Sequence, residues 1–210
     1  MFAVIFDMDG VISDTQKVHA KVESELLAKH GVHISPEEVT RKYAGVKTSE
    51  FFKELLGGNV DKIMQEKWAL MAELAKQGIE PMEGSVELIK MLGERGVKMA
   101  VASASDYAYV IEVLTCLGIE NYFEIIVTGD QVSKGKPDPE SFLLAAERME
   151  VSPFYCIVIE DGRRGMVAAK KVGMKCIGLV EDESKNYPAD ILVKSMLEVD
   201  LKLIGIIDQK

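Results

Sequence analysis

At 210 residues the chain is long enough for one sizeable core, or for one domain with a modest insert. Its 48% hydrophobic and 28% charged residues are ordinary for a soluble globular protein, and a formal net charge of −9 argues against a nucleic-acid or anionic-membrane partner. No apolar stretch reaches the ~18 residues of a membrane span. No basic segment precedes the first apolar run, so a signal peptide is not expected and the cytoplasm is the default location. Cys116, Cys156 and Cys176 are widely spaced among apolar neighbours and are expected to be buried thiols in a reducing compartment.

Phe2-Ala3-Val4-Ile5-Phe6 is too short for a helix and suits a parallel strand buried on both faces. It runs directly into Asp7-Met8-Asp9-Gly10. From Thr15 to Glu80 the pattern is helical, with Val18, Val22, Leu26 and Leu27 making a stripe that ends at Gly31. Ser35 followed by Pro36 reads as a helix start. Further helices are expected over Ser49–Leu56 and Asp61–Lys76, broken by Gly57-Gly58-Asn59. Pro81-Met82-Glu83-Gly84 reads as a return hinge, and crossings near Asp14 and Pro81 would let the insert move as a lid.

Beyond the hinge, helix and strand alternate. Strands are expected over Val97–Ala102, Phe123–Val127, Tyr155–Ile159, Met174–Leu179 and Ile191–Val193. Helices are expected over Ser85–Arg95, after Asp106 as far as Leu117, over Glu140–Met149 and Met166–Val172, and from Ser195 onward. Repeated strand–loop–helix units indicate an α/β fold with a doubly wound parallel sheet. The domain reading is 1–14 with 82–210 as the α/β core and 15–81 as an inserted all-helical cap.

Three of the strands deliver chemistry-bearing residues: Asp7 and Asp9, Ser103 and Ser105, Glu160 and Asp161. Open α/β sheets place ligands at such carboxyl ends. Two carboxylates two residues apart repel unless a cation or a shared proton relieves them, and Mg²⁺ suits carboxylates combined with a substrate phosphate. Each feature has a plain alternative. Asp7–Gly10 reads equally as a solvated turn, Ser103 or Ser105 as a helix cap, and Lys136 as a loop charge. A calcium loop is excluded because Val11 and Ile12 stand where that pattern needs an acid or amide and a glycine. The joint placement on one rim favours a site for a metal-bound phosphate.

These stretches resemble four motifs of the haloacid dehalogenase-like hydrolase superfamily. Phe6–Thr15 is similar to the first, Val101–Ser105 to the second, Gly135–Pro139 to the third and Ile159–Asp161 to the fourth. The helical insert resembles the cap of the branch containing beta-phosphoglucomutase and phosphoglycolate phosphatase. Gly162 departs from the serine usual there, and a local change in loop hydrogen bonding is expected.

The resemblance implies Asp7 as nucleophile on a phosphate monoester, with Asp9 as general acid and then base. It implies Lys136, the Ser103 hydroxyl and backbone N–H groups such as that of Ala104 as phosphate holders. Mg²⁺ would be held by Asp7, the Asp9 carbonyl and Asp161, with Glu160 a ligand or close behind. His19, Lys47 and Thr48 are candidate cap contacts to substrate. Beta-phosphoglucomutases carry Gly-Val-Ser-Arg where this chain has Gly45-Val46-Lys47-Thr48, and the arginine takes a distal phosphate. The expected function is therefore a Mg²⁺-dependent phosphatase of a small phosphorylated metabolite, with a phosphosugar mutase as the alternative and a non-catalytic phosphate binder as the third possibility. His30, His33, Arg163 and Arg164 are read as solvated residues, and Trp68 as cap core.

Overall fold

The computed structural model describes residues 2–43 and 46–208. Ala3–Phe6 forms β1, and Lys98–Ala102, Ile125–Val127, Cys156–Glu160, Lys175–Leu179 and Ile191–Val193 form β2 to β6. They make one sheet in the order β3-β2-β1-β4-β5-β6, with every neighbouring pair parallel. Between β1 and β2 come α1 (Gln16–Lys29), α2 (Pro36–Tyr43), α3 (Thr48–Leu56), α4 (Asp61–Lys76) and α5 (Ser85–Gly93). The later helices are α6 (Tyr107–Cys116), α7 (Glu140–Arg148), α8 (Arg163–Lys171) and α9 (Leu201–Asp208). This is the expected doubly wound α/β core with a helical cap inserted after its first strand.

β1 reads as a continuous apolar run because both faces of the sheet are covered. Val4 and Phe6 share one buried cluster with Leu88 and Leu92 of α5 and Val110 and Val113 of α6. Ala3 and Ile5 belong to a second buried cluster with Phe142 of α7 and Ala168 of α8. The chain leaves β1 toward β2 and β3 on one side, then returns to pair β4 with the other side. The carboxyl end of β1 is therefore the topological switch point, where crossovers diverge and leave a crevice. Phe6 pairs with Val101 and with Ile159, so Asp7 emerges level with Ala102 and Glu160.

The two crossings to the cap lie side by side. Asp14 N–H donates to Glu80 O at 2.9 Å, Met82 N–H to Ile12 O at 2.9 Å, and Ser85 Oγ to the same Ile12 carbonyl at 2.9 Å. Within the cap, Leu26, Leu27, Phe51, Phe52, Ile63 and Met71 are buried together.

Three expectations need correction. α8 begins at Arg163, not Met166, because Gly162 and the two arginines already open its first turn. The last helix is split: Ser195 caps a single 3-10 turn over Met196–Glu198, and α9 starts afresh at Leu201, where Asp200 Oδ1 accepts from Leu203 N–H at 2.8 Å. Cys116 is exposed on the final turn of α6, whereas Cys156 and Cys176 are buried in strands. Among the described residues, no helix is long and apolar enough to cross a membrane.

Phe52 has no exposed surface and anchors the cap cluster. Phe52→Ala is expected to cost about 3–5 kcal/mol in denaturant unfolding. A loss below about 1 kcal/mol would show that the cap helices are not cooperatively packed.

Candidate active site

The turn after β1 divides its residues by chemistry. Met8, Val11 and Ile12 are fully buried, and the Met8 carbonyl accepts from the N–H groups of Val11, Ile12 and Ser13. This fold-back leaves Asp7 and Asp9 facing the crevice. Gly10 has φ +92°, and a side-chain carbon there would overlap the Asp161 carboxylate. Only glycine lets the β1 turn approach the end of β4 so closely.

Lys136 is the cation at the centre. Its Nζ lies 2.5 Å from Asp7 Oδ1 and 2.6 Å from Glu160 Oε2, and it also donates to Ala102 O at 3.3 Å. The ends of β1, β2 and β4 thus meet at one ammonium. Burial pulls that ammonium's pKa down, but Asp7 and Glu160 outweigh the effect and raise it. Burial and the adjacent Glu160 carboxylate push Asp7 up to about 7 despite Lys136. Asp161 rises well above the usual carboxylate range through burial and the same two neighbours, Glu160 and Asp7. The cluster holds more negative charge than Lys136 neutralises.

Asp9 is treated differently. Its Oδ2 accepts from Ser105 Oγ at 2.9 Å, its Oδ1 accepts from Thr15 Oγ1, and His19 Nε2 stands 3.1 Å from Oδ1. That last contact is at ion-pair distance without hydrogen-bond alignment. Burial alone would raise the Asp9 carboxyl, but His19, Thr15 and Ser105 prevail and hold it at about 2. His19 is fixed in turn by the rings of Tyr109 and Trp68, at centroid distances of 5.2 and 6.0 Å.

Carboxylate oxygens of Asp7, Glu160 and Asp161 lie within 4.8 Å of one another. An all-oxygen donor set with excess negative charge fits a hard divalent cation such as Mg²⁺. Glu160 is the least available, since Oε2 meets Lys136 and Oε1 accepts the Gly162 N–H at 2.9 Å. Gly162 thus keeps the loop bonded through its backbone, without the serine hydroxyl. The Gln16 amide donates to both Asp161 Oδ2 and the Asp9 carbonyl, which marks where those acceptors converge.

The cavity above these groups, of about 90 Å³, is lined from the core by Asp7, Asp9, Ala104, Ser105 and Lys136 and from the cap by His19, Glu23, Thr48 and Lys67, among others. Thr48 and Ala104 also line an outer hollow of about 570 Å³, together with Lys47 and Trp68. Of the expected phosphate holders, Ala104 faces the cavity. Ser103 lies beneath it, its Oγ accepting the Ser105 N–H at 3.1 Å. Lys47 turns to the core and donates to Val132 O at 2.9 Å. Thr48 turns into the cap and donates to Glu23 Oε1 at 3.1 Å. Gly45, in the same stretch, lies outside the described residues. Trp68 is half-buried, packing on the cap core and facing the outer hollow. Arg163, Arg164, His30 and His33 are exposed. Thr15, Gln16, Glu23 and Lys67 stand at the site without having been among the expected site residues.

The model of the haloacid dehalogenase-like hydrolases matches residues 4–179, from β1 through β5. The chain belongs to that family. A phosphorylated carbohydrates phosphatase of Thermotoga maritima is 33% identical over 84% of each chain. A beta-phosphoglucomutase of Bacillus subtilis is 31% identical over 97% of this chain and 94% of its own. The crystal structure of beta-phosphoglucomutase from Clostridium difficile superposes with a TM-score of 0.90 at 27% identity, covering 100% of this chain and 97% of that one. Membership in the haloacid dehalogenase-like hydrolases accounts for the order of the four motifs along the chain.

Lys136→Met would leave the buried carboxylates of Asp7 and Glu160 and the half-buried one of Asp161 facing one another. In EDTA this is expected to cost about 3–5 kcal/mol of stability, with Mg²⁺ restoring part of it. A loss below about 1 kcal/mol would show that the carboxylates need no cation.

Proposed function

We propose that the protein is a Mg²⁺-dependent phosphatase that hydrolyses a small phosphorylated metabolite, a sugar phosphate or similar monoester, through an aspartyl-phosphate on Asp7. The observation that carries this reading is the pairing at the end of β1. Asp7 is held by Lys136, and Asp9, two residues on, faces the same cavity with the hydroxyls of Thr15 and Ser105 donating to its carboxylate. The phosphatase among the relatives described above supports the same class of activity.

Asp7 Oδ would attack phosphorus in line as the bond to the substrate's ester oxygen breaks. Asp9 would give its proton to the departing alkoxide, then take one from the water that attacks the same phosphorus and frees Asp7. His19, Thr15 and Ser105 favour the Asp9 anion, the form that accepts the water's proton. To act first as an acid, Asp9 would have to take up a proton from solvent as substrate enters, with those contacts loosened. Lys136 and the backbone around Ala104 and Ser105 would hold the phosphoryl oxygens. Asp7, Asp161 and the Asp9 carbonyl would hold Mg²⁺, with Glu160 positioning Lys136; when bound, the ion supplies charge neutralisation for the transferred group. Residues 15–81 would act as the cap that closes on substrate.

A mutase is the second reading, favoured by the superposition on beta-phosphoglucomutase. A mutase must grip a distal phosphate and keep water from the phosphoenzyme. Here Thr48 stands in place of the gripping arginine, and the adjacent Lys47 is engaged with Val132 O. Both facts favour hydrolysis.

The test is a panel of phosphorylated metabolites with Mg²⁺, run with and without glucose 1,6-bisphosphate, on the wild type and on Asp7→Asn. Monoester hydrolysis is expected to exceed glucose 1-phosphate isomerisation. Asp7→Asn is expected to lose at least about 10³-fold in kcat while remaining as stable as the wild type, because an amide removes one repelling charge. Mutase turnover above hydrolysis, or near-normal kcat in Asp7→Asn, would overturn the reading.

A further inference from the structure

Three cap helices bring Glu23 of α1, Thr48 at the start of α3 and Lys67 of α4 to one point in the cavity wall. Lys67 Nζ donates to Glu23 Oε1 and to Thr48 Oγ1, both at 2.6 Å, and Thr48 Oγ1 donates to Glu23 Oε1. Glu23 and Thr48 are each 7% exposed and Lys67 only 1%. The cluster lines the same cavity as Asp7 and Asp9, from the cap side.

Helix packing does not call for this arrangement. Lys67 shares its face of α4 with the buried Ile63, Met71 and Ala75, and Glu23 sits beside Val22, Leu26 and Leu27 on α1. Taking two charges out of water costs several kcal/mol per ion, and an apolar pair of like volume would hold the helices as well or better. What the pair provides is a carboxylate and an ammonium at the cavity wall. Among the described residues, both hydrogen bonds to Glu23 fall on Oε1, which leaves Oε2 as an acceptor.

We propose that the Glu23–Thr48–Lys67 cluster selects the substrate by taking neighbouring hydroxyls at the far end of a polyol or sugar monophosphate, and that its zero net charge turns away compounds carrying a second phosphate. This rests on the phosphatase reading above and adds the substrate's distal end to it. A diol donates to a carboxylate and accepts from an ammonium, so an ion pair matches it on both sides. A phosphate dianion would meet the Glu23 carboxylate, and the charge that could have held it is already matched. Val39, Val46 and Phe51 line the wall beside the cluster and suit the C–H edges of a carbon chain.

The experiment compares kcat/KM for glucitol 6-phosphate, n-hexyl phosphate and fructose 1,6-bisphosphate, all with Mg²⁺. The first two have similar leaving groups and differ in hydroxyls. The wild type is expected to prefer glucitol 6-phosphate to each of the others by at least about tenfold. In Glu23→Gln the ratio of glucitol 6-phosphate to n-hexyl phosphate is expected to fall about 10- to 100-fold, while the bisphosphate gains relative to n-hexyl phosphate because Lys67 loses its counter-charge. The double variant Glu23→Leu with Lys67→Met removes both charges, is expected to fold without loss, and should lose the hydroxyl preference without gaining on the bisphosphate. Unchanged ratios in both variants would make the cluster purely structural and overturn the proposal. A wild type that hydrolyses n-hexyl phosphate as well as glucitol 6-phosphate would overturn it while leaving the phosphatase reading intact. A wild type that turns over no monoester would overturn both.

Discussion

The site depends on the ammonium of Lys136 held between Asp7 and Glu160. Those carboxylates come from the ends of β1 and β4, neighbours in the sheet but more than 150 residues apart in the chain. The parallel register fixes Asp7 level with Glu160, and the loop ahead of α7 brings the lysine to both. The first turn of α8 crosses so near that a side chain on Gly165 would overlap the Glu160 carboxylate. A sheet that covers both faces of β1 with helices thereby excludes water from a group of charges that water would otherwise screen. Repulsion is left over, since Asp161 joins the group with no lysine of its own. That surplus of negative charge gives the crevice an oxygen donor set that would suit a hard divalent cation.

The cap completes the site from above and is tied to the same lysine's loop. Lys47 donates to Val132 O, and Glu50 Oε1 accepts the Gly135 N–H at 3.3 Å, so the start of α3 rests on the segment that leads into Lys136. The contact of Lys47 with Val132 O also explains why this residue, expected to meet substrate, has its ammonium engaged by the core. Beneath the cap, Asp9 is held by His19 from α1 and by Ser105 from the end of β2, so its environment draws on both parts of the chain.

Much of this was legible in the sequence because it is written in short contiguous stretches. An apolar run ending in Asp-x-Asp-Gly announces a buried strand with carboxylates at its tip, and two more strand ends, at Ser103 and Ser105 and at Glu160 and Asp161, repeat the arrangement. The insert was legible because Val22, Leu26, Leu27 and their successors follow helical spacing. The cluster of Glu23, Thr48 and Lys67 was not, since its members lie on three helices and share no motif. One signal was available: Lys67 falls on the stripe of Ile63, Met71 and Ala75, where a charge has no reason to be unless a partner awaits it. The early start of α8 was missed because Gly-Arg-Arg-Gly reads as loop, whereas Gly165 serves close packing against Glu160. Cys116 was misjudged because apolar neighbours in sequence do not show which way a helix's last turn faces.

The central claim is that Asp7 itself carries the phosphoryl group. Acid-quenched single turnovers of a hydrolysed monoester, followed by peptide mapping, test it most directly, with Asp9→Asn included to slow release of the intermediate. The expected result is a phosphoryl group that survives acid, is cleaved by hydroxylamine and maps to Asp7. Substrate consumption with no phosphoenzyme in either protein, or a phosphoryl group on any other residue, would contradict the account.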